Sequence, residues 1–286
     1  MNAKQLAGML AKMRKDSITV KFQKPVGQSA IGSSKFGGYP HLPEGFEWPY
    51  FEGSTYDDVT SNRPLSFLAQ INLKDVSAYD TEHVLPAQGW LYFFYETETM
   101  LWGFDPKDKG CARVYFHDAG TANLKETRPP KDMPRDYVFP ELLFSFDTKP
   151  NLPDFEEFAE HYVDCACDQY EAAQNSLGYF RPDTDDNYTK LLGYADIIQN
   201  DMLTECEKVT RGVYTGDGSV KLGRKQSKEI HKRSTDWTLL FQMGTVNNEE
   251  GFELMWGDCG CIYFYIRKSD LQCRNFNEVW LILQCY

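Results

Sequence analysis

Two stretches of the chain carry unbroken runs of aromatic and aliphatic residues that are typical of buried β-strands. Residues 89–95 read GWLYFFY and residues 260–266 read GCIYFYI, and each stretch opens with a glycine. Successive side chains of a strand point to opposite faces, and both faces of these stretches are apolar. We therefore predict two strands in the middle of the molecule, each covered on both sides.

The apolar runs that flank these two stretches are arranged alike. Gln70 ends a run that lies 19 residues before the glycine of the first stretch, and Gln242 ends one that lies 18 residues before the second. Each copy then continues to a third apolar run. The pattern predicts two duplicated three-stranded units at about 65–116 and 239–283. A glutamine at the edge of a core needs hydrogen-bond partners, so Gln70 and Gln242 are candidate site residues.

Helical spacing of apolar residues appears outside the repeats. It predicts an amphipathic helix over Met1–Lys15 and a second from Phe155 that ends before Gly178. The polar stretch 214–235 is predicted to be a turn and a mobile loop. The whole segment 147–236 is interpreted as a helical insertion between the repeats. The expected fold is mainly β (α+β), with roll-like antiparallel sheets in a single domain over residues 1–286.

Composition bears on the fold and on the class of partner. Aromatic residues make up 15% of the 286 residues, which favours a strand-rich protein. The net charge of −12 disfavours nucleic acids and anionic membranes, because phosphate binding depends on Lys and Arg. The same charge favours a protein partner that is basic.

The sequence predicts a cytoplasmic location. The first residues lack the unbroken apolar run of a secretory signal, and no run approaches the roughly 18 apolar residues of a membrane span. We therefore expect the eight cysteines to be reduced and mostly unpaired.

Several motifs together resemble a known family. These are SKFGGYPHLPEGFEWP from Ser34, PLSFLAQINL, LPAQGWLYFFY, LLGYADIIQNDM from Leu191, and the closing LLFQM, WGDCGCIYFYI and VWLILQCY. Their order over residues 34–286 is similar to the YwqG-like family, a bacterial domain of unknown function. The resemblance implies a mainly β, roll-like architecture decorated with helices and no established activity. The association of some members with toxin systems also implies an immunity-like interaction role.

Metal sites are not expected. Cys165 and Cys167 lie in the predicted helix, where side chains two positions apart point about 200° apart and cannot easily chelate one zinc ion with Cys259 and Cys261. The acidic run 183–187 begins like a calcium loop but lacks the glycine and the bidentate glutamate that such a loop needs. No cofactor is predicted.

Catalytic motifs are equally sparse. The five histidines are dispersed along the chain without an HExxH pattern, and GQSAIG from Gly27 differs from the GxSxG nucleophile elbow. Catalytic residues therefore stay unassigned, and an enzyme is the less favoured interpretation.

Aromatic residues supply the remaining binding candidates. The loop from Gly37 to Trp48 is rich in glycine, proline and rings, including Tyr39 and Trp48. It either covers the end of a sheet or forms an aromatic rim for a ligand. Two Trp-Gly sequences followed by an acid add Trp102, Trp256 and Asp258, with Asp258 alternatively capping a local turn.

A groove between the two repeats would bring Gln70, Gln242, Trp102, Trp256 and Asp258 together. Three functions stay open on this basis. The leading one is a binding or interaction protein without catalysis. The alternatives are an enzyme, or a binder of a sugar or small metabolite, with its site in the inter-repeat groove.

Overall fold

A computed structural model describes residues 3–54, 59–179 and 188–286, so the calcium-like run 183–187 lies outside the described residues. The described helices are α1 Ala3–Met13, α2 Leu73–Val76, α3 Phe155–His161, α4 Cys167–Ser176, α5 Met202–Val209, α6 Arg224–Ser234 and α7 Lys268–Gln272. The strands are β1 Lys15–Gln23, β2 Lys35–Phe36, β3 His41–Pro43, β4 Tyr50–Ser54, β5 Thr60–Pro64, β6 Ser66–Asn72, β7 Trp90–Tyr95, β8 Ala112–His117, β9 Leu124–Glu126, β10 Leu142–Asn151, β11 Lys190–Leu191, β12 Trp237–Met243, β13 Val246–Asn247, β14 Glu253–Leu254, β15 Cys261–Arg267 and β16 Trp280–Gln284.

Ten of these strands form one antiparallel sheet in the order β16-β15-β12-β11-β1-β10-β2-β6-β7-β8. The order is symmetric about the β1–β10 pair. We call β10, β2, β6, β7 and β8 the first half of the sheet, and β1, β11, β12, β15 and β16 the second half. The predicted mainly β class with two duplicated three-stranded units is confirmed, since β6-β7-β8 and β12-β15-β16 occupy matching places.

Strand register shows the same equivalence. Gln70 lies opposite Tyr92 in the first half, and Gln242 lies opposite Tyr263 in the second. Both β6 and β12 carry a bulge two residues before the glutamine, at Leu68 and Leu240 respectively. Because a one-residue slip would turn every side chain to the other face, this shared register means that the two units present equivalent side chains to the core.

The sheet curls so that its two halves pack against each other. The ring of Phe93 on β7 lies 4.7 Å from that of Phe241 on β12 and 5.1 Å from that of Phe264 on β15. All six residues of β7 are buried. Rings at this separation fill the interior efficiently, so the core lies between the halves as the doubly apolar strands predicted.

The outer faces of the two halves are covered differently. Phe46 and Trp48 cover the first half, where both rings contact Phe94. Helix α5 covers the second half, with Met202, Leu203, Cys206 and Val209 packed in one cluster with Tyr263 and Tyr265. The loop from Gly37 to Trp48 thus covers the sheet, as one of its two interpretations expected.

The helices differ from the sequence pattern in two places. The helix expected from Phe155 to before Gly178 is broken into α3 and α4, so Cys165 lies between the helices and Cys167 begins α4. The stretch 214–235, predicted to be a turn and a mobile loop, contains the three-turn helix α6. Apolar periodicity did not predict this helix, because only Ile230 and Ser234 of it are buried.

The N-terminal helix is confirmed. Leu6 and Leu10 of α1 are fully buried and pack with Phe158 and Tyr170 of α3 and α4. Among the described residues, none of the helices combines the length and the apolar character needed to cross a bilayer. The eight cysteines all fall in the described ranges and form no disulfide.

Candidate functional site

Gln70 holds the start of the aromatic loop against the first half of the sheet. Its side chain is fully buried. Oε1 accepts a hydrogen bond of 2.7 Å from the backbone N–H of His41, and Nε2 donates one of 2.7 Å to the Ser33 carbonyl. Tyr92, opposite Gln70 in the sheet, donates to the His41 carbonyl at 2.8 Å. These bonds satisfy backbone groups that would otherwise be buried without partners.

Gln242 makes the same set of bonds in the second half. Oε1 accepts from the backbone N–H of Asp196 at 2.9 Å, and Nε2 donates to the Tyr188 carbonyl at 2.8 Å. Tyr263 donates to the Asp196 carbonyl at 2.7 Å. Asp196 therefore occupies the place of His41.

A buried lysine lies beside each glutamine. Lys35 is opposite Gln70, and its Nζ donates to Glu141 Oε2 at 2.6 Å and to the Tyr39 carbonyl at 2.7 Å. It also lies 3.4 Å from Nε2 of His41. Burial and the Lys35 charge lower the pKa of His41 to about 4, although Glu141 opposes them, so this imidazole is neutral at pH 7.

Lys190 is the counterpart of Lys35 and lies opposite Gln242. Its Nζ lies 2.6 Å from Asp196 Oδ2, which also accepts from Gln242 Nε2 at 2.9 Å. The carboxylate is thus supplied by the residue that replaces histidine, whereas Glu141 of β10 supplies it in the first half. We call these groups the Lys35 cluster and the Lys190 cluster.

Sequence reasoning identified both glutamines but missed both lysines. The signal is present, because SKFGGYPH from Ser34 and TKLLGYAD from Thr189 share Ser or Thr, Lys and Gly-Tyr at equal spacing. Gly38 and Gly193 have φ of +65° and +73°, where a side chain would strain the backbone. The repeat is hidden because Lys35 precedes Gln70 by 35 residues, whereas Lys190 precedes Gln242 by 52.

The aromatic candidates are mostly occupied in packing. Trp256 is fully buried, its Nε1 donates to the Gly244 carbonyl at 2.9 Å, and its ring lies 5.9 Å from that of Tyr95. The expected exposed ring is therefore absent at this position, because the second Trp-Gly turn folds inward. Trp48 is half-buried and donates to the Leu65 carbonyl at 2.9 Å.

The other candidates lie apart from one another. Asp258 is exposed, and its carboxylate makes no hydrogen bond or ion pair with the described residues, so the expected local cap is not formed there. Trp102 is half-buried beside Phe104, and Tyr39 is half-buried under Arg128. Gln70 is bonded to the loop that covers the outer face of the first half, and Gln242 to the loop that covers the outer face of the second, so these two side chains do not face one groove.

A cleft of about 440 Å³ does lie between the halves, but other residues line it. Its walls come from the start of β1, from the loop 79–84 that follows α2 in the first half, and from α7 in the second half. The lining includes apolar Ile18, Tyr79, Leu192 and Leu271 together with Lys15, Asp16, Asp80, Thr81, Glu82, His83 and Lys268. A cavity of this size that combines apolar walls with several charged groups is suited to a small polar molecule with an apolar part.

Lys15 is the most unusual group in this cleft. Its Nζ lies 4.3 Å from the centre of the Tyr194 ring and makes no hydrogen bond or ion pair with the described residues. Burial lowers the pKa of Lys15, as does the nearby Lys268, while Glu157 and Glu82 oppose this shift. The ammonium group is thus partly removed from water without a bonded anion, which is an unfavourable state for a charge.

The acids in the cleft are partly engaged. Asp16 accepts a hydrogen bond of 2.9 Å from the Thr81 hydroxyl, and Asp80 accepts one of 2.7 Å from the Leu85 N–H. Glu82 is exposed. Behind the cleft, burial raises the pKa of Glu157 to about 7, with Asp201 adding to the shift and Lys15 opposing it. The Glu157 carboxyl group is therefore only partly ionised at pH 7 and neutralises Lys15 only in part.

A serine, a histidine and an aspartate lie in the order of a hydrolytic triad elsewhere. Asp201 Oδ2 is 2.9 Å from His161 Nε2, and His161 Nδ1 is 3.5 Å from Ser234 Oγ. Ser234 is fully buried and donates to the His231 carbonyl at 2.8 Å. A substrate cannot reach this hydroxyl, so we assign the group a structural role.

Comparison with known proteins places the chain in a family. No curated protein matches the sequence significantly. Residues 34–285 match the family described as Domain of unknown function (DUF1963). Since this match covers nine of the ten strands of the large sheet and most of the 286 residues, the chain belongs to that family.

Proposed function

We propose that the protein is a non-catalytic binding protein for a small molecule that carries one carboxylate beside an apolar body. The site is the cleft between the loop 79–84 and α7. This assignment retains the binding role that the sequence favoured, but it places the site at other residues than the aromatic candidates. It also gives a function to test within the YwqG-like group, which the motif order resembles.

The Lys15 ammonium carries the proposal. Lys15 lines the cleft, and its ammonium group lacks a bonded anion among the described residues and has a lowered pKa because of burial. A ligand carboxylate would give it the partner that such a charge requires. Lys268, whose Nζ donates to the Thr235 carbonyl at 2.6 Å, lines the same cleft and adds a second positive charge.

The neighbouring charges select the class of anion. Asp16, Asp80 and Glu82 also line the cleft, so a dianionic phosphate would meet three carboxyl groups. A monoanion or a zwitterion meets less repulsion, and an ammonium group could pair with Glu82. Ile18, Tyr79 and Leu271 provide the wall for an aliphatic or aromatic body.

Ligand-induced stabilisation tests this function. Thermal unfolding of the full chain is measured with a panel of aliphatic and aromatic carboxylic acids, amino acids, and their neutral amides. A ligand at a hundred times its Kd should stabilise the fold by about 2.7 kcal/mol. We expect carboxylates to stabilise the protein, amides to have little effect, and Lys15→Met to abolish the response.

Proton uptake provides a second readout. Because an anion favours the charged form of Lys15, binding should raise its pKa and draw protons from an alkaline buffer. Calorimetry in buffers of different ionisation enthalpy measures this uptake. The control is Lys131→Met, which removes an exposed lysine outside the cleft. Equal binding of amides, or unchanged binding by a folded Lys15→Met variant, would contradict the proposal.

The charge of −12 favours a second candidate, an immunity-like interaction with a basic protein in the cytoplasm. The affinity for this partner would then depend strongly on the salt concentration and would not depend on Lys15. A basic partner isolated from the native cell should bind wild type and Lys15→Met equally, which separates this candidate from the small-molecule site.

A further inference from the structure

Helix α6 is a basic surface on an acidic protein. Residues 221–233 contain six lysine or arginine residues and one acidic residue, whereas the whole chain carries −12. The basic side chains of Arg224, Lys225, Lys228, Lys232 and Arg233 are all exposed. Of these, Arg233 pairs with Glu229 at 2.6 Å. The other four have no ion pair with the described residues, so they are available to an external anion.

An apolar groove runs beside this helix. It has a volume of about 560 Å³ and lies between α6, the end of α5 and the loop 213–222. Its floor contains Val213, Tyr214, Val220, Leu222 and Ile230. Tyr214 and Val220 are 41% and 45% exposed, so two large hydrophobic side chains of the groove face solvent.

The rim of the groove is mainly basic. Lys208 and Lys228 line it, and Lys221, Arg224 and Lys225 lie within three residues of Leu222, which also lines it. Glu160 is the acidic group in the lining and lies 3.8 Å from His231 Nδ1. The surface thus combines an apolar floor with positive charge on the side that faces solvent.

We infer that this groove binds an acidic segment of a partner protein that carries bulky apolar residues. The apolar residues would occupy the floor, and the acidic ones would pair with the exposed lysines of α6. Such a combination is the usual chemistry of short peptides that dock in grooves beside a helix. Charge complementarity supplies the orientation and the on-rate, whereas the apolar contacts supply most of the affinity.

Charge distribution favours a short protein segment over a nucleic acid. A nucleic acid extends its phosphates well beyond one helix of three turns, where it would meet the acidic surface of the remaining chain. An acidic peptide confined to the groove avoids that repulsion. The apolar floor also has no role in phosphate binding.

Fluorescence anisotropy with a defined probe tests the inference. The probe is a labelled synthetic peptide in which glutamates alternate with leucine and phenylalanine. The full chain should bind it saturably and more weakly as salt is raised. The charge-reversed set Lys225→Glu, Lys228→Glu and Lys232→Glu should weaken binding by about tenfold or more.

A matched control uses Lys4→Glu, Lys12→Glu and Lys131→Glu, three exposed lysines elsewhere that give the same net charge. This set should bind the probe nearly as well as wild type. Circular dichroism checks that both sets fold, and the corresponding Lys→Gln set replaces the α6 reversal if it does not. A peptide with glutamine in place of leucine and phenylalanine should bind at least about tenfold more weakly, because it cannot fill the floor.

Three results would overturn the inference. The first is equal binding by the α6 set and the control set. The second is tighter binding of single-stranded RNA or of phosphatidylserine vesicles that the α6 set alone abolishes, since this would assign the surface to another class of partner. The third is self-association in analytical ultracentrifugation that the α6 set abolishes, which would make a second copy the occupant.

Discussion

The Lys35 cluster and the Lys190 cluster share their backbone hydrogen bonds but differ in their charged partners. In both, a buried glutamine binds the backbone of the loop that follows the lysine, and a tyrosine donates to the same loop. The carboxylate comes from Glu141 in one cluster and from Asp196 in the other. The two duplicated units therefore share the hydrogen bonds between the glutamine amide and the backbone, whereas the carboxylate that pairs with the lysine comes from a different element in each unit.

Loss of the amide should have the largest effect and should be similar in the two clusters. Gln70→Leu and Gln242→Leu each remove the acceptor of a buried backbone N–H, that of His41 or of Asp196, and one donor to a partly buried carbonyl. We expect each substitution to lower the free energy of unfolding by about 3 kcal/mol, measured by urea denaturation. Gln28→Leu, at an exposed position, should change it by less than about 0.5 kcal/mol. A large effect at one glutamine only would break the equivalence.

Neutralising the carboxylates should separate the clusters. The side chain of Glu141 is 22% exposed and that of Asp196 is 11% exposed, so water screens Glu141 more effectively. Asp196 also accepts from Gln242. We expect Asp196→Asn to cost about 2 kcal/mol and Glu141→Gln about 1 kcal/mol.

The same denaturation measurement decides this prediction, with Glu44→Gln as the control. Glu44 pairs with Lys125 on the surface at 82% exposure, so its neutralisation should have almost no effect. A larger loss for Glu141→Gln than for Asp196→Asn would show that burial does not govern the difference.

The smallest expected effect is a pH dependence confined to the Lys35 cluster. Burial and Lys35 lower the pKa of His41 from 6.5 to about 4 in the folded protein. Between these values the unfolded chain binds more protons, so acidification favours unfolding and stability falls as the pH drops from 6.5 toward 4. Near pH 6 the lowered pKa of His41 should reduce the free energy of unfolding by about 1 kcal/mol or less.

This effect is measured as the difference in unfolding free energy between wild type and His41→Asn across that pH range. The difference removes the contributions of other groups, including His161, whose pKa is raised by Asp201 although burial opposes the shift. His41→Asn should flatten the acid slope. An identical slope in both proteins would mean that His41 is protonated without penalty.

Much of the fold could be predicted from local pattern. The strands β7 and β15 follow from their unbroken aromatic runs, and Gln70 and Gln242 follow from their matched spacing. Helix α6 could not be recognised by apolar periodicity, because it buries only Ile230 and Ser234. It packs against α5 with too few apolar residues to form a periodic stripe.

The candidate site was less predictable than the fold. Trp256 and Lys15 show why, since an aromatic residue suggested recognition and proved to be core, while a lysine in a strand gave no signal and lines the cleft. Tryptophan serves both roles, so sequence cannot assign its exposure. The state of Lys15 depends on Tyr194, Glu157 and Lys268, which are distant from it in the chain.

The strand-rich class, the duplicated three-stranded units and the buried faces of the repeat strands could be predicted from the sequence, because they depend on alternation and spacing along the chain. Which charged groups pair with one another could be read only from the folded chain. The Lys35 cluster, the Lys190 cluster and the cleft at Lys15 each join residues from separate strands and loops. Their properties depend on burial and distance, which arise only when the sheet curls and its two halves come together.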